Sequence, residues 1–252
     1  AVAFRDDYQW KPKALIKEMV LSSTYRQDHK ASPELAAQDP KNLLLARGPR
    51  TRLSAEMVRD QALLASGKLV EKVGGASVQE NAHRRSVYTF RKRTSPPDNM
   101  LIFDAGSREI CQPKRLNTNT PLQALVLLNN PGFVESAQQI ALRISKEATD
   151  PKDQITLAFR HVCTRSPRPT ELTALVELYT QQKAQLAQLA PVAPVVPVVT
   201  EPKPDPKAKA EPKGKRAAAP TKAASISADP ALAALTLVCS TILASDAAVT
   251  SR

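Results

Sequence analysis

Glycine and aromatic residues are scarce in this sequence, with 7 glycines and an aromatic content of 4% in 252 residues. A β-sandwich builds its core from aromatic and β-branched side chains, and a phosphate-binding loop needs clustered glycines. The scarcity therefore argues against both kinds of protein. Alanine, leucine and glutamine are plentiful instead. Because these residues favour helices, the composition predicts a mostly α-helical fold.

Cysteine is also sparse, with single residues at positions 111, 163 and 239. No C-x-x-C pair can form, which excludes a c-type haem attachment and a zinc-ribbon site within the chain. His29, His83 and His161 share no ligand spacing, so we expect no metal site. The sequence therefore predicts no cofactor in this chain.

Acidic residues are outnumbered, with Lys+Arg 36 against Asp+Glu 24 and a net charge of +12. This balance favours anionic partners such as nucleic acid, acidic polysaccharide, anionic lipid or an acidic protein. Nucleic acid is the weaker expectation, because no helix-turn-helix, RNP or zinc pattern accompanies the charge. No run of 18 apolar residues occurs, so no membrane span is expected. The first residues lack the apolar segment of a signal peptide, and the sequence is interpreted as a mature or excised fragment.

A change of composition divides the chain. Residues 191–230 hold nine of the 21 prolines, a density at which neither helix nor sheet can form. We therefore expect residues 191–229 to be a disordered Pro/Ala/Lys-rich linker. The expected organisation is a compact helical domain over residues 1–190, the linker, and a C-terminal helix over residues 230–252 that packs back on the domain.

One pattern recurs at predicted helix starts: a capping side chain followed by proline. Proline suits the first helical position because it lacks the amide hydrogen that would have no partner there. The pairs are Asp39-Pro40, Thr120-Pro121, Asn130-Pro131, Asp150-Pro151 and Asp229-Pro230. Thr120 and Gln123 also fit a capping box. The helix that follows is apolar almost all round, at Leu122, Leu125, Val126 and Leu128, so we expect it to be buried.

One region departs from the helical pattern. Val87, Tyr88 and Phe90 precede a Pro-Pro-Asp-Asn turn, and residues 100–103 after it are again apolar. Two short apolar runs around a turn predict a small β-hairpin near residues 86–104.

The same region carries the first candidate site. Residues 84–115 hold eight basic and three acidic side chains, a net +5, with aromatic residues between them. Guanidinium groups form paired hydrogen bonds with sulfate or carboxylate, so an acidic glycan could bind here. The candidate ligand-binding residues are Arg85, Tyr88, Asp104, Arg108, Arg115 and Asn119. The alternative is a solvated basic face with arginine–aspartate pairs holding loops, and with Asn119 acting only as a turn residue.

A second candidate cluster comprises Arg52, Arg59 and Asp60. Asp60 follows Glu56 by one helical turn, and such a carboxylate pair could serve acid–base chemistry. The alternative is that these charges form arginine salt bridges.

Several blocks of the sequence, taken in order, resemble a planctomycete-specific domain of unknown function, DUF1553. The blocks are SSTYRQ (22–27), NLLLARGPRTRLSAEMVRDQAL (42–63), RRSVYTFRKR (84–93), FDAGSREICQPKRLNTNTPLQALVLLNNP (103–131) and FRHVCTRSPRPTEL (159–172).

The resemblance implies a setting rather than a reaction. Such domains lie at the C-terminal end of large periplasmic or secreted envelope proteins, behind a cytochrome c-type domain, so haem is expected only in upstream domains. The family has no agreed catalytic residues. We therefore expect a non-catalytic binding or structural module that contacts domains of the same polypeptide or acidic polysaccharide. The alternative is a hydrolase or oxidoreductase module whose active site is completed by upstream domains.

Overall fold

The structure, a computed structural model, describes residues 1–93, 97–106, 113–188 and 229–250. These residues are mostly α-helical, which confirms the predicted fold class. The predicted linker lies outside the described residues, apart from Asp229. The helices are α1 (Val2–Asp6), α2 (Pro12–Leu21), α3 (Pro33–Gln38), α4 (Ala55–Ala65), α5 (Asp98–Ile102), α6 (Pro121–Asn129), α7 (Pro131–Glu147), α8 (Pro151–Cys163), α9 (Pro169–Gln188), α10 (Pro230–Ala244) and α11 (Asp246–Val249).

Helix α10 lies at the centre of the core. It packs against α6, α7, α8 and α9, and its Ala234, Val238 and Cys239 are completely buried. All fifteen residues from Pro230 to Ala244 are proline, apolar, serine or threonine, and none is charged, as a helix surrounded by other helices requires. Helix α10 thus fills the space that the preceding four helices leave between them.

Four of the five proline pairs begin helices, as predicted. The side chains of Asn130, Asp150 and Asp229 accept hydrogen bonds from the amides two residues ahead, at 2.9, 3.1 and 3.0 Å. Each helix start thereby gains a partner for one of its unpaired amides.

Asp39-Pro40 does not begin a helix, so that prediction was wrong. Its carboxylate accepts the amides of Leu43 and Leu44, both at 2.8 Å, and closes a loop instead. An aspartate carboxylate can accept backbone amides at a helix start or in a turn. No apolar residues at helical spacing follow Pro40, so a turn forms here. These hydrogen bonds lower the pKa of Asp39.

The capping box at Thr120 was also wrong, because the Thr120 side chain caps nothing. Gln123 is buried and points elsewhere: its Nε2 donates to the carbonyl of Ile102 at 2.9 Å and to Thr118 Oγ1 at 3.2 Å. Helix α6 is not buried all round either, since Leu122, Leu125 and Leu128 are exposed. It contacts α5, α7 and α10 on one side, where Leu127 is buried, and its remaining apolar surface faces outward.

The predicted hairpin near residues 86–104 is wrong in the described parts of that range. Ser86–Tyr88 form a 3-10 turn, and Asp98–Ile102 form α5. Met100 and Phe103 are both buried, three residues apart, which is the spacing of one helix face rather than of a strand. Among the described residues, extended backbone pairs only at isolated bridges, such as that of Val78 with Thr89.

The N-terminal residues surround the core loosely. Within residues 1–54 the structure buries only Asp39. Two contacts tie this segment to the C-terminal end: Arg50 pairs with Asp246, and the Leu53 amide donates to the Val249 carbonyl at 2.8 Å. Among the described helices none is both long and apolar enough to span a membrane.

Candidate functional site

Helix α4 carries or holds four of the predicted site residues, Arg59, Asp60, Arg85 and Arg115. Ser54 caps it by accepting from the Met57 amide at 3.4 Å. Glu56 and Asp60 are four residues apart, so their side chains lie on the same face. Two loops dock on this face. The first is residues 80–93, and the second is described at residues 104–106 and 113–118. The geometry therefore joins part of the first predicted cluster to the second.

Asp60 holds the first loop. Its Oδ1 accepts from both the amide and the hydroxyl of Ser86, each at 2.7 Å. The Arg85 Nε lies 3.7 Å from the other carboxylate oxygen, and the Arg85 side chain is 64% exposed. Asp60 therefore acts as an acceptor that fixes the loop and leaves Arg85 facing solvent.

Arg59 ties the same loop to α4 from the inside. Its Nη1 donates to the Arg84 carbonyl at 2.8 Å and to Ser86 Oγ at 3.1 Å, and its Nη2 donates to the carbonyls of Glu80, at 2.7 Å, and Ala82. Burial lowers the pKa of Arg59, against the opposing effect of Asp60. With its donors directed at these oxygens, Arg59 is a structural residue.

Glu56 holds both loops at once. It accepts from Arg91 at 3.0 Å and from Arg115 at 2.8 Å, one on each carboxylate oxygen. Burial would raise the pKa of Glu56, but the two arginines and a backbone amide lower it overall. The Arg91 side chain is only 6% exposed, whereas that of Arg115 is 44% exposed. Glu56, predicted only as the carboxylate partner of Asp60, is therefore central to the arrangement. So is Arg91, which the sequence analysis did not predict as a site residue.

Tyr88 and Arg84 form a separate internal contact. The Arg84 guanidinium lies 4.1 Å from the centre of the Tyr88 ring, a cation–π geometry. The Tyr88 hydroxyl accepts from the Gly74 amide at 3.0 Å, and Arg84 donates to the Lys72 carbonyl at 2.8 Å. One ring face of Tyr88 is therefore covered, whereas Phe90 nearby in the chain is exposed.

Asp104 joins the two described parts of the second loop. Its carboxylate accepts the Thr118 amide at 2.7 Å and the Thr118 hydroxyl at 2.8 Å. Asp104 has a φ of 59°, a left-handed conformation that aspartate tolerates better than most residues. Asn119, next to this contact, is exposed. The predicted site residue Arg108 lies outside the described residues.

Arg52 lies apart from the α4 loops. Its backbone pairs with Thr250 in an antiparallel bridge. Its side chain is half-buried, and its Nε has no hydrogen-bond partner among the described residues. The structure therefore places Arg52 in the connection between the α4 entry and the C-terminal end.

A cavity lies on another side of the molecule, between α8, α9, α10 and the segment that leads into α4. His29, Arg50 and Arg168 contribute polar groups to it. These residues are far apart in the sequence, and no local pattern connects them, so sequence reasoning missed them. Within the described ranges, no three histidine, cysteine or acidic side chains come together in a way that could hold a metal ion.

Comparison with protein families gives one decisive result. A family model described as PSD1, protein of unknown function (DUF1553), matches residues 1–179. The chain belongs to the PSD1 family. This confirms the DUF1553 resemblance seen in the sequence. The match covers α4 and both docked loops of the PSD1 domain and ends within α9, so α10 lies beyond it.

Comparison with curated proteins found no match, and comparison with solved structures found none.

Proposed function

We propose that this PSD1 domain is a non-catalytic module that binds an acidic polysaccharide. The binding residues are exposed cations on the loops held by α4, here named the α4 basic surface: Arg85, Lys92, Arg93, Lys114 and Arg115. The observation that carries the proposal is the shared anchoring of two basic loops on adjacent turns of one helix, by Glu56 and Asp60.

The anchoring matters because a flexible chain carrying sulfates or carboxylates gains most from cations already held in place. Glu56 and Asp60 fix the loops from beneath, while the exposed guanidinium of Arg85 can form paired hydrogen bonds with sulfate or carboxylate. Phe90, which is exposed, offers a ring against which a sugar face can pack. Asp60 and Asp104 accept hydrogen bonds from the loops, which supports a binding role over acid–base chemistry.

The biological setting is part of the same proposal and rests on the family resemblance. We infer that the module belongs to a periplasmic or secreted planctomycete envelope protein and contacts cytochrome c-type domains of the same polypeptide. A haem stain of the full-length protein after denaturing electrophoresis tests this: covalently bound haem supports the setting, and a full-length protein without haem contradicts it.

Titration calorimetry with dextran sulfate tests the polysaccharide ligand, with neutral dextran as the matched polymer. We expect dextran sulfate alone to bind, and its affinity to fall steeply as salt rises, because exposed charges are screened beyond about 8 Å at 0.15 M. Arg85→Ala should weaken binding several-fold. Arg160→Ala removes an exposed arginine from α8 and should have no effect.

Two results would contradict the proposal. One is undiminished binding by a folded Arg85→Ala, Lys114→Ala double variant. The other is equal affinity for single-stranded DNA of matched charge, which would indicate a surface that binds any polyanion.

A further inference from the structure

The cavity beside α10 has the dimensions of a small-molecule site. Its volume is about 480 Å³, within the range of ligand pockets. It is here named the α9–α10 cavity. The residues that line it are His29, Arg50, Phe159, Arg168, Glu171, Ala174, Leu175, Thr241, Ile242, Ser245, Asp246 and Ala247.

One side of the α9–α10 cavity is apolar. Phe159 and Ile242, which are 3% and 1% exposed, belong to the buried core beneath the cavity. Leu175 is half-buried and packs against that core. Ala174 and Ala247 add two small side chains. An alkyl chain or aromatic ring placed here would leave water for an apolar surface.

The two carboxylates of the cavity already have cationic partners. Glu171 accepts from Arg165 at 2.7 and 2.8 Å and from the Arg168 amide at 2.7 Å. Asp246 pairs with Arg50 and accepts from the Thr250 hydroxyl at 3.0 Å. These contacts leave neither carboxylate as a strong site for a cationic ligand.

The Arg168 guanidinium differs from its neighbours. Arg50 and Arg165 each pair with an acid, whereas within the described residues no carboxylate oxygen lies within 4.0 Å of the Arg168 side chain. The lining carries two arginines, Arg50 and Arg168, and two carboxylates, Glu171 and Asp246. Of these four groups, Arg168 is the one without an oppositely charged side chain within 4.0 Å among the described residues. Nearby, His29 Nδ1 lies 2.9 Å from a carboxylate oxygen of Asp28. The other ring nitrogen, Nε2, is the polar atom that His29 can offer to a ligand.

We propose that the α9–α10 cavity binds a small amphipathic anion. The Arg168 guanidinium binds its carboxylate or sulfonate head, and Leu175, Ala174 and Ala247 contact its alkyl or aryl body. This site is separate from the α4 basic surface and binds one small molecule rather than a polymer. Its ligand joins the N-terminal segment, through His29 and Arg50, to α9 and α10.

Calorimetry with octanoate tests the site, with octanol and octylamine as chain-matched neutral and cationic probes. We expect octanoate to bind more tightly than octanol, and octylamine not to bind. Arg168→Gln keeps the backbone hydrogen bond to Glu171 and should weaken octanoate at least about tenfold while leaving octanol unchanged, because a hydrogen bond to a charged group is lost.

A second variant tests the apolar wall. Ala174→Trp fills the cavity from an exposed helix position and should abolish binding of both octanoate and octanol. Arg160→Gln, on the surface of α8, serves as the charge control and should change neither. The proposal is overturned if the wild-type protein does not bind octanoate at millimolar concentration, or if a folded Arg168→Gln protein binds octanoate as tightly as the wild type.

Discussion

Arginines that lie near the same acid can have different roles, because the fold buries some of them and exposes others. Arg59 and Arg85 both lie near Asp60, but the Arg59 side chain is 14% exposed and that of Arg85 is 64% exposed. The buried guanidinium must satisfy its donors within the protein, since unpaired buried donors are costly. The exposed one keeps its donors in water. Burial thus separates structural from binding arginines where composition cannot.

Glu56 provides a residue-scale prediction about stability. Glu56→Gln should lower the free energy of unfolding by about 1–3 kcal/mol, because the nearly buried Arg91 loses its ionic partner. Urea denaturation measures the change. Glu147→Gln is the control, because its partners Arg143 and His161 are half-exposed and exposed pairs contribute under about 1 kcal/mol. Equal losses in the two variants would contradict the anchoring role of Glu56.

Glu171 provides a prediction about pH. Hydrogen bonds from Arg165 lower the pKa of Glu171 to about 2, against the opposing effect of burial. An acid whose pKa is lower folded than unfolded stabilises the protein above its unfolded pKa of about 4.3 and loses that contribution as pH falls. The stability difference between wild type and Glu171→Gln should therefore be constant above about pH 5 and shrink towards pH 2.

Urea titrations at several pH values measure this difference. Glu177→Gln, an exposed position on the same helix, is the control. A Glu171→Gln difference that persists unchanged at pH 2.5 would show that the ion pair with Arg165 is not its source.

At the scale of elements, the proline pairs show that where a helix begins and whether its first turn is capped are decided by different features. Asn130 and Thr120 both precede a proline that begins a helix, but only the Asn130 side chain accepts an amide of that helix. Proline alone fixes where a helix can begin, because its φ suits the first turn and its missing amide needs no partner. Whether the preceding side chain then caps depends on its rotamer and surroundings.

The two positions give a paired prediction. Asn130→Ala should lower the free energy of unfolding by about 1 kcal/mol, the usual value of a helix cap. Thr120→Ala should change it by less than about 0.5 kcal/mol. Chemical denaturation of both variants compares them directly, and a larger loss for Thr120→Ala would show that Thr120 caps α6 in solution.

The whole molecule depends on α10, which follows the proline-rich segment and contacts five other helices. Replacing residues 191–228 with a Gly/Ser segment of equal length should leave the melting temperature within about 2 °C, because the predicted linker contributes chain length only. Ending the chain at residue 190 should abolish the cooperative transition, since the core loses its central helix. Circular dichroism during heating measures both, and a several-degree loss in the Gly/Ser variant would contradict the linker prediction.

Much of the fold could be predicted from the sequence. The helical class and four proline-marked helix starts follow from local chemistry. The predicted hairpin was wrong because short apolar runs fit a strand or a buried helical turn equally well. The prediction that α6 is buried all round was wrong. Apolar residues on every face show that a helix can be buried, but not that neighbouring helices cover every face.

The candidate site could be predicted less completely. Charge density pointed to Arg85 and Arg115, and helical spacing pointed to Glu56 and Asp60. No pattern distinguished Arg59, which is enclosed by carbonyls of residues 80–84, from its exposed neighbours, because those carbonyls come from a loop 21 to 25 residues away.

The sequence by itself determined the helical composition, the positive charge and where helices could begin, because each depends on residue types or on neighbours within one turn. Only the tertiary structure decided which arginines face solvent, which acids hold the loops, and that residues 29, 50, 168 and 246 enclose one cavity. Those properties depend on which distant segments pack against α4 and α10, and packing of that kind leaves no mark on any short stretch of sequence.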